Sequence, residues 1–502
     1  MSPWKIAFLC FLIAVYCLSA AAAADPPARV LPTEPERAEQ IRSRGFWDVL
    51  EHEIPPLRHE LGDRWPMIMW HGPGLEPLPP EKVKLLLDRG LTQHIRMDTT
   101  MIPTARALRQ AGSRVIMMQG RAGNWPYSLV ADSSRWALQF DEGYTYDMAG
   151  TGALGSWHGA IPLYTEGWAI MADQIRATLR AFRDAGVTVD GVWMDWEGDP
   201  YPFRPYFDQL QHCRVSRQLL PPEVLTDRTA WFDYCWRLYT RLHSAYLAAP
   251  ALEIFPQAAV TNWHIVFSSH TDTVWYFVDN RAIPPVIPGN FTASNPVAYG
   301  NDQWFNSAWK EEYPFDRRHV DQFYMHNLIR QVSADTANRR RYSPHTRSFP
   351  WVARWCPIID DPELEAADMS RSAYREALRH LWLRGIDGMQ LFNARRPEYE
   401  EMWVQELQDA VAVYDEMLAH RELLDAGEVM NLEIPPVQHD GLFWSGLKMS
   451  DRALVRATNQ GTVTARFTVQ PWPGVGIELA VPADQGRTFL LERHDDGIRV
   501  VE

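Results

Sequence analysis

Short apolar segments alternate with segments of helical periodicity over most of the chain. The apolar segments are rich in Val, Ile, Met and aromatic residues and are bounded by turn residues, which is typical of buried strands. Eight strands are predicted, at 66–70, 93–97, 114–119, 189–195, 257–261, 296–299, 348–354 and 389–392. Between them, apolar residues recur every three or four positions, as amphipathic helices require.

This alternation predicts the fold class. Repeated strand–helix units indicate an α/β protein with parallel strands, and eight units indicate a (β/α)8 (TIM) barrel over residues 65–428. A helix over 397–426 is expected to end the barrel, and residues 25–64, rich in Pro and charge, are expected to form an N-terminal arm. Long connections at 124–162 and 262–295 follow strand ends, where the active sites of such barrels lie.

The pattern changes after Gly427. From 429 to 502, apolar and polar residues alternate in short segments separated by turn residues, and no helical period remains. This predicts a small C-terminal all-β, sandwich-like domain. We expect it to stabilise the barrel through an apolar interface; the alternative is a carbohydrate-binding module that uses Trp444 or Trp472.

The first 24 residues have the pattern of a secretory signal peptide. Lys5 precedes an apolar run over 6–16, and an A-x-A pattern ends at Ala24, where cleavage is expected. The protein is therefore expected to be secreted or periplasmic, with an uncleaved anchor as the alternative. No later segment has 18 uninterrupted apolar residues, so no membrane span is expected in the mature chain. Its cysteines, which allow at most one disulfide, are Cys213, Cys235 and Cys356.

Composition narrows the range of partners. With 49 Lys and Arg against 63 Asp and Glu, the net charge is −14, which argues against a nucleic-acid-binding protein. CxxC, HExxH and Walker A patterns are absent from the sequence, and we expect no metal and no cofactor. The chain has 22 Trp residues, whose flat apolar faces stack on sugars, although a large core would also contain Trp. A poly- or oligosaccharide is the expected partner.

The most informative segment is DGVWMDWEGDP, residues 190–200, at the end of the fourth predicted strand. Because side chains alternate along a strand, Trp193, Asp195 and Glu197 share one face, which in a barrel is the interior and opens into the active site. Neighbouring carboxylates raise each other's pKa, which suits a pair in which one is protonated and the other ionised. The structural alternative is a pair of solvated carboxylates in a turn.

This segment resembles two families of enzymes. DGVWMDWE is similar to the D-G-x-D-x-D-x-E signature of chitinase-type glycoside hydrolases (family 18), with Trp193 in place of the middle Asp. The D-W-E at 195–197 also resembles that of hyaluronidase-type barrels, which lack this middle Asp. In both families the 2-acetamido group of the substrate is the nucleophile. The resemblance implies that Glu197 is the general acid/base, while Asp195 orients the acetamide and stabilises the oxazolinium-like intermediate.

Other residues at predicted strand ends are candidates for substrate binding. They are Trp70, Arg96, Asp98, Gln119, Trp193, Asn262, Trp263, Tyr299, Gln390 and Asn393. Tyr299 lies where chitinase-type barrels place a Tyr that hydrogen-bonds the acetamide. Structural alternatives stay open, among them an Arg96–Asp98 ion pair and an apolar plug at Trp70. Arg354, at the end of the seventh strand, is a candidate contact for an acidic sugar.

The expected function is hydrolysis of glycosidic bonds in an extracellular polysaccharide or glycan. One alternative is a glycosidase with two protein carboxylates, in which Asp98, Asp279 or Asp302 supplies the second acid. The other is a barrel without catalytic activity that binds carbohydrate through Trp.

Overall fold

The computed structural model describes residues 33–70, 78–120, 140–144, 165–195, 207–262, 290–298, 317–354, 369–392, 399–436, 441–495 and 497–501. The predicted signal peptide lies outside these ranges. In the part of the chain that is described, no helix combines the length and the apolar character that crossing a membrane requires.

Eight short strands correspond to the eight predicted segments. They are β1 Met67–Met69, β2 Leu91–Gln93 and Ile95–Arg96, β3 Ile116–Gly120, β4 Gly191–Asp195, β5 Ala259–Asn262, β6 Ala293–Ser294 and Val297–Ala298, β7 Arg347–Ser348 and Trp351–Val352, and β8 Gln390–Leu391. Three of them are in two segments, interrupted at His94 in β2, before Val297 in β6 and before Trp351 in β7. In β6 and β7 the interruption contains Pro296 or Pro350, which has no N–H to donate to a neighbouring strand.

The strands are parallel and follow one another around the sheet. β1 pairs with β2 and with β8, and β7 pairs with β6 and with β8. β3 pairs with β2 and with β4, and β4 also pairs with β5. Between β5 and β6, the backbone N–H of Thr292 donates to the carbonyl of Val260 at 3.1 Å. Each strand therefore neighbours the next in sequence and β8 neighbours β1, which is the order that the expected (β/α)8 barrel requires. The α/β class is confirmed.

The two faces of these strands carry different sets of side chains. On the face that we call outer, Met69, Val192 and Val260 belong to the large core that the strands share with the helices. On the inner face, a separate cluster consists of Trp65, Ile68, Ile116, Ala259, Ala293 and Phe349. Val192 thus lies on the outer face, as expected for the residue before Trp193 when the side chains of positions 193, 195 and 197 share the inner face.

The helices cover the outer face. They are α1 Pro35–Glu53, α2 Pro80–Leu87, α3 Ile102–Gln110, α4 Glu166–Asp184, α5 Arg214–Leu219, α6 Pro222–Thr226, α7 Arg228–His243, α8 Ala249–Ile254, α9 Arg317–Tyr342, α10 Arg371–Trp382, α11 Glu400–Leu418 and α12 Arg421–Ala426. α4 shows why they form: Met171, Ile175, Leu179 and Phe182 recur every three or four residues and are all fully buried.

The chain before β1 contributes a helix to the fold. α1 occupies much of the segment expected to be an arm, and its Phe46 stacks on Trp403 of α11 with ring centroids 5.6 Å apart. Nε of Arg37 donates to Glu401 Oε2 at 2.5 Å across the same contact. The expectation of one helix over 397–426 is wrong, because α11 begins at Glu400 and a turn at 419–420 separates it from α12.

After α12 the chain forms the expected all-β domain in two layers. An antiparallel sheet contains, in order, β9 Glu428–Val429, β10 Leu442–Lys448, β11 Arg452–Asn459, β14 Gln485–His494 and β15 Gly497–Val500. A hairpin of β12 Ala465–Trp472 and β13 Val475–Val481 forms the other layer. Both layers contribute side chains to one apolar cluster, in which Val455 and Phe489 pack with Val469 and Leu479.

Helix α10 packs against the C-terminal all-β domain. Leu381 and Phe443 belong to the same apolar core. Beside them, Glu376 accepts hydrogen bonds from Arg456 Nε at 2.7 Å and Nη2 at 2.5 Å, and also from the hydroxyl of Thr458. A Cβ at Gly486 would collide with both members of this ion pair, so the close approach of β14 requires glycine there. The interface therefore combines apolar contacts with a buried ion pair.

Buried polar groups continue this interface. The ring of His380, on α10, contacts the hydroxyl of Ser445 at 2.9 Å and that of Thr458 at 2.8 Å. Arg384 Nε donates to the same Ser445 hydroxyl at 2.8 Å. Burial lowers the pKa of His380 to about 4 despite hydrogen bonding to Glu376, so its ring is neutral at neutral pH.

Candidate active site

The end of β4 lies at the carboxyl edge of the parallel strands. Its last residue, Asp195, is in register with Gly120 of β3. One residue earlier, Met194 is in register with Gln119 of β3 and with Asn262 of β5. The backbone therefore brings three predicted site positions, 119, 195 and 262, to the same edge of neighbouring strands.

Trp193 lies two residues before Asp195 on β4, in register with Met118 and Thr261. The remaining predicted residues of this region lie outside the described residues; they are Glu197, Trp263, Tyr299 and Asn393. Their roles stay predictions.

Asp190, the first carboxylate of the same segment, has a structural role at the opposite edge. Its Oδ2 accepts from the backbone N–H of Val115 at 2.8 Å, and its Oδ1 accepts from Arg109 Nη2 at 3.2 Å. It also forms an ion pair with Arg114, with Nη1 and Oδ1 3.6 Å apart. These contacts tie the start of β4 to α3 and to the start of β3.

Aromatic rings from β1, β7 and β8 lie together at the carboxyl edge of the strands. Trp70, directly after β1, packs against Trp351 of β7 with ring centroids 5.0 Å apart. Phe392, after β8, lies 6.2 Å from Trp70 and 6.3 Å from Trp351. Trp351 is buried, whereas Trp70 and Phe392 are half-buried. The predicted site residue Trp70 therefore belongs to an aromatic wall that extends from the interior towards solvent.

His94, at the interruption of β2, completes this wall. Its ring lies 6.0 Å from that of Trp70, and its Nε2 is 3.3 Å from Oε1 of Gln390 on β8. Burial lowers the pKa of His94 to about 3, so the ring is neutral at neutral pH. His94 is thus suited to hydrogen bonding and not to carrying a charge.

Arg96 and Asp98 are directed at each other. Arg96 Nε lies 3.3 Å from Asp98 Oδ2, and both side chains are largely exposed. Asp98 Oδ1 also accepts from the backbone N–H of Thr100 at 2.9 Å, at the start of a 3-10 turn. This is the ion pair that stood as the alternative to sugar binding, and it engages the Asp98 carboxylate.

Arg354, at the end of β7, is held on the helix side of the strand. Its Nε donates to the carbonyl of Met369 and its Nη1 to Oε1 of Gln405, both at 2.8 Å. The backbone N–H of Arg354 donates to Glu406 Oε1 at 2.8 Å. The guanidinium is buried in these contacts, so the geometry does not support the expected contact with an acidic sugar.

Glu406 of α11 is a buried carboxyl group with an altered pKa. It is fully buried, and its Oε2 has no hydrogen-bond partner among the described residues. Burial raises its pKa to about 8, although the backbone hydrogen bond from Arg354 opposes the shift. Glu406 is therefore protonated at neutral pH in the folded protein.

Replacing Glu406 by Gln is expected to stabilise the protein at alkaline pH. Unfolded Glu406 ionises near 4.5 and folded Glu406 near 8, so its contribution to stability falls as pH rises through this window. At pH 8, Glu406→Gln should raise the free energy of unfolding by about 2–4 kcal/mol. Thermal unfolding between pH 5 and 9 measures this effect. Glu401→Gln, on the same helix but half-exposed, is the control; identical pH profiles for Glu406→Gln and wild type would contradict the prediction.

Some residues at or near this edge were not among the predicted site residues. They are His94, Asn295 and Trp351. Trp351 and Gln390 lie on predicted strands, but only the paired strands show that both residues are on the inner face. Residues 349–353 are all apolar, so alternation along the seventh segment gives no signal for the face on which Trp351 lies.

Among the described residues, no cluster of three or more His, Cys, Asp or Glu side chains could hold a metal ion.

Comparison with known protein families gives no match, and comparison with curated proteins gives none either. Several solved structures are similar at low identity. A cyclic α-maltosyl-(1→6)-maltose hydrolase from Arthrobacter globiformis is 10% identical, with 93% of this chain and 97% of that chain covered and a TM-score of 0.39. A family 30 endoxylanase from Clostridium papyrosolvens is 9% identical, with 87% and 99% covered and a TM-score of 0.37. An Anoxybacillus α-amylase is 10% identical, with 78% and 79% covered and a TM-score of 0.37.

All three of these proteins are glycoside hydrolases by name.

Proposed function

We propose that the eight parallel strands close into a (β/α)8 barrel and that the protein is a glycoside hydrolase. The observation that carries the proposal is the position of Asp195 at the carboxyl end of β4, at the edge where Trp70, Trp351 and Phe392 form an aromatic wall. Barrel enzymes place their catalytic groups at this edge, and aromatic faces bind the apolar faces of sugar rings.

In the proposed mechanism, Glu197 protonates the glycosidic oxygen as the bond to the leaving group breaks. Asp195 orients the acetamido group of the substrate, whose carbonyl oxygen attacks the anomeric carbon, and stabilises the positive charge of the cyclic intermediate. Glu197 then takes a proton from the water that opens this intermediate. The assignment of these roles depends on the resemblance of DGVWMDWE to the two families of acetamido-assisted enzymes.

The two-carboxylate alternative requires a second acid from another strand. Asp98 is a weaker candidate for this role than the sequence alone indicates, because Arg96 and the N–H of Thr100 already engage its oxygens. A barrel that only binds carbohydrate is the other alternative.

We further propose that the protein acts after export, on an extracellular or periplasmic polysaccharide or glycan. The support is the N-terminal sequence, in which Lys5, the apolar run over 6–16 and the A-x-A pattern at Ala24 follow the order of a cleaved signal peptide.

A panel of glycans tests the proposed activity. Purified full-length protein is incubated with polysaccharides and oligosaccharides that include N-acetylhexosamine polymers, neutral glucans and xylans, and uronic-acid polymers. New reducing ends are measured, with binding followed in parallel by isothermal titration calorimetry. We expect turnover of at least one member, and fastest turnover where an acetamido group flanks the scissile bond. Binding without turnover across the panel would instead indicate a binding protein.

A further inference from the structure

Within the part of the chain that the structure describes, three buried side chains on the inner face have polar atoms without a hydrogen-bond partner. They are Asn295, whose amide nitrogen and oxygen are both unpartnered, Trp351, through Nε1, and Gln390, through Nε2. Each residue is at most 1% exposed. A buried polar atom that stays unsatisfied costs about 1–3 kcal/mol, so a partner absent from the chain is expected at each of them.

The three residues belong to neighbouring strands. Trp351 of β7 is directly in register with Gln390 of β8. Asn295 directly follows the first segment of β6, whose Ser294 donates to Asp335 of the outer helix α9 at 2.8 Å. Because side chains alternate along a strand, Asn295 faces inwards, like Ala293 of the inner cluster.

This group borders the aromatic wall. Trp351 belongs to both, and its ring packs against the half-buried Trp70 and Phe392. The other amide atom of Gln390, Oε1, faces the neutral ring of His94 at 3.3 Å. Trp351 and Gln390 are thus beside this wall, and Asn295 lies two residues before Val297, the β6 residue in register with Trp351.

The chemistry of these atoms matches hydroxyl groups. Asn295 supplies donors and an acceptor, while Trp351 and Gln390 supply donors; a sugar hydroxyl both donates and accepts. All three side chains are uncharged. Two Arg side chains near this edge already have partners in the protein. Arg354 donates to Gln405 and to the carbonyl of Met369, and Arg96 pairs with Asp98. A buried carboxylate of a sugar would require a cationic partner.

We propose that Asn295, Trp351 and Gln390 bind the hydroxyl groups of an uncharged sugar ring in the substrate site. This inference rests on the proposed glycosidase function and adds to it the class of substrate: a neutral hexose or N-acetylhexosamine and not a uronic acid. The half-buried Trp70 and Phe392 stack on the apolar part of the same ligand.

Trp351→Phe tests the proposal because it keeps an aromatic ring and removes only the indole N–H and its five-membered ring. Neutral oligosaccharides of glucose, xylose and N-acetylglucosamine are compared with oligogalacturonides and hyaluronan oligosaccharides. KM is measured for sugars that are hydrolysed and the dissociation constant for those that are not. The matched control is Trp403→Phe, whose equally buried indole donates to Glu400 Oε2 at 3.2 Å, away from the site.

We expect wild type to prefer neutral oligosaccharides and Trp351→Phe to bind them about three- to tenfold more weakly, as the loss of one hydrogen bond predicts. Trp403→Phe should bind like wild type. If Trp351→Phe does not fold, Gln390→Met is measured in the same way, with the same expected loss. Unchanged binding in the folded variant would show that the polar atoms hold only internal water and would overturn the inference, as would preference for acidic sugars. Absence of binding and turnover with every glycan would overturn the proposed function itself.

Discussion

Replacing Glu197 by Gln is expected to lower the rate of glycan hydrolysis by ~10²–10⁴-fold, the usual cost of losing a general acid. Gln has nearly the same shape as Glu but cannot release a proton to the leaving group. Folding and carbohydrate binding should therefore be retained. The measurement is kcat on the fastest substrate of the glycan panel, together with the dissociation constant of the variant for the same substrate.

The segment around Glu197 offers a matched control. Asp190→Asn changes a carboxylate of the same eleven-residue segment, 190–200, at the other end of β4. There Asp190 pairs with Arg109 and accepts from the N–H of Val115, far along the strand from the carboxyl edge. We expect Asp190→Asn to keep kcat within a few-fold of wild type and to lower the unfolding temperature. Full activity in Glu197→Gln would exclude Glu197 as the proton donor.

Replacing Glu376 by Gln is expected to destabilise the protein by about 3–5 kcal/mol, because Arg456 would be left as a buried charge without its partner. Both side chains are only 11% exposed, and two nitrogen atoms of Arg456 donate to the carboxylate. Burial raises the pKa of Glu376, but hydrogen bonds from His380 and Arg456 outweigh it and hold the pKa well below its ordinary value. The carboxylate is therefore ionised at neutral pH.

Thermal unfolding of three variants separates the cost of a lone charge from loss of packing. Glu416→Gln removes a partner of Arg379 on the surface, where the carboxylate is 36% exposed, and should cost about 0–1 kcal/mol. The double replacement Glu376→Met with Arg456→Met removes both charges and should be markedly more stable than Glu376→Gln alone. Equal stabilities for Glu376→Gln and Glu416→Gln would show that the buried ion pair does not hold the domains together.

The sequence predicts the order of the elements well because both periodicities are strong. The apolar positions of α4 recur at helical spacing, and the alternation along β4 correctly places Val192 on the outer face. The seventh strand is predicted without its interruption, since apolar content does not show that Pro350 breaks the ladder. The break at 419–420 is missed because helical periodicity continues across it.

The periodicity of the sequence does not predict contacts between residues that are far apart in the chain. The pairing of Glu376 with Arg456 spans 80 residues, and nothing in either local segment indicates the other. The inner position of Trp351 is equally hidden, because 22 Trp residues in the chain make any one of them unremarkable. Only the register between β7 and β8 places its ring beside Gln390.

The packing of α1 on α11 has a consequence for the order of folding during synthesis. Arg37 reaches Glu401 across 364 residues, and the backbone of Arg58 reaches Asp415 across 357. At about 5–20 residues per second, a ribosome needs roughly 20–70 s to make the intervening chain. For that time the apolar side of α1, with Ile41, Val49 and Leu50, lacks its final partner. We therefore expect the nascent chain to depend on chaperones until α11 has emerged, and α1 to dock late.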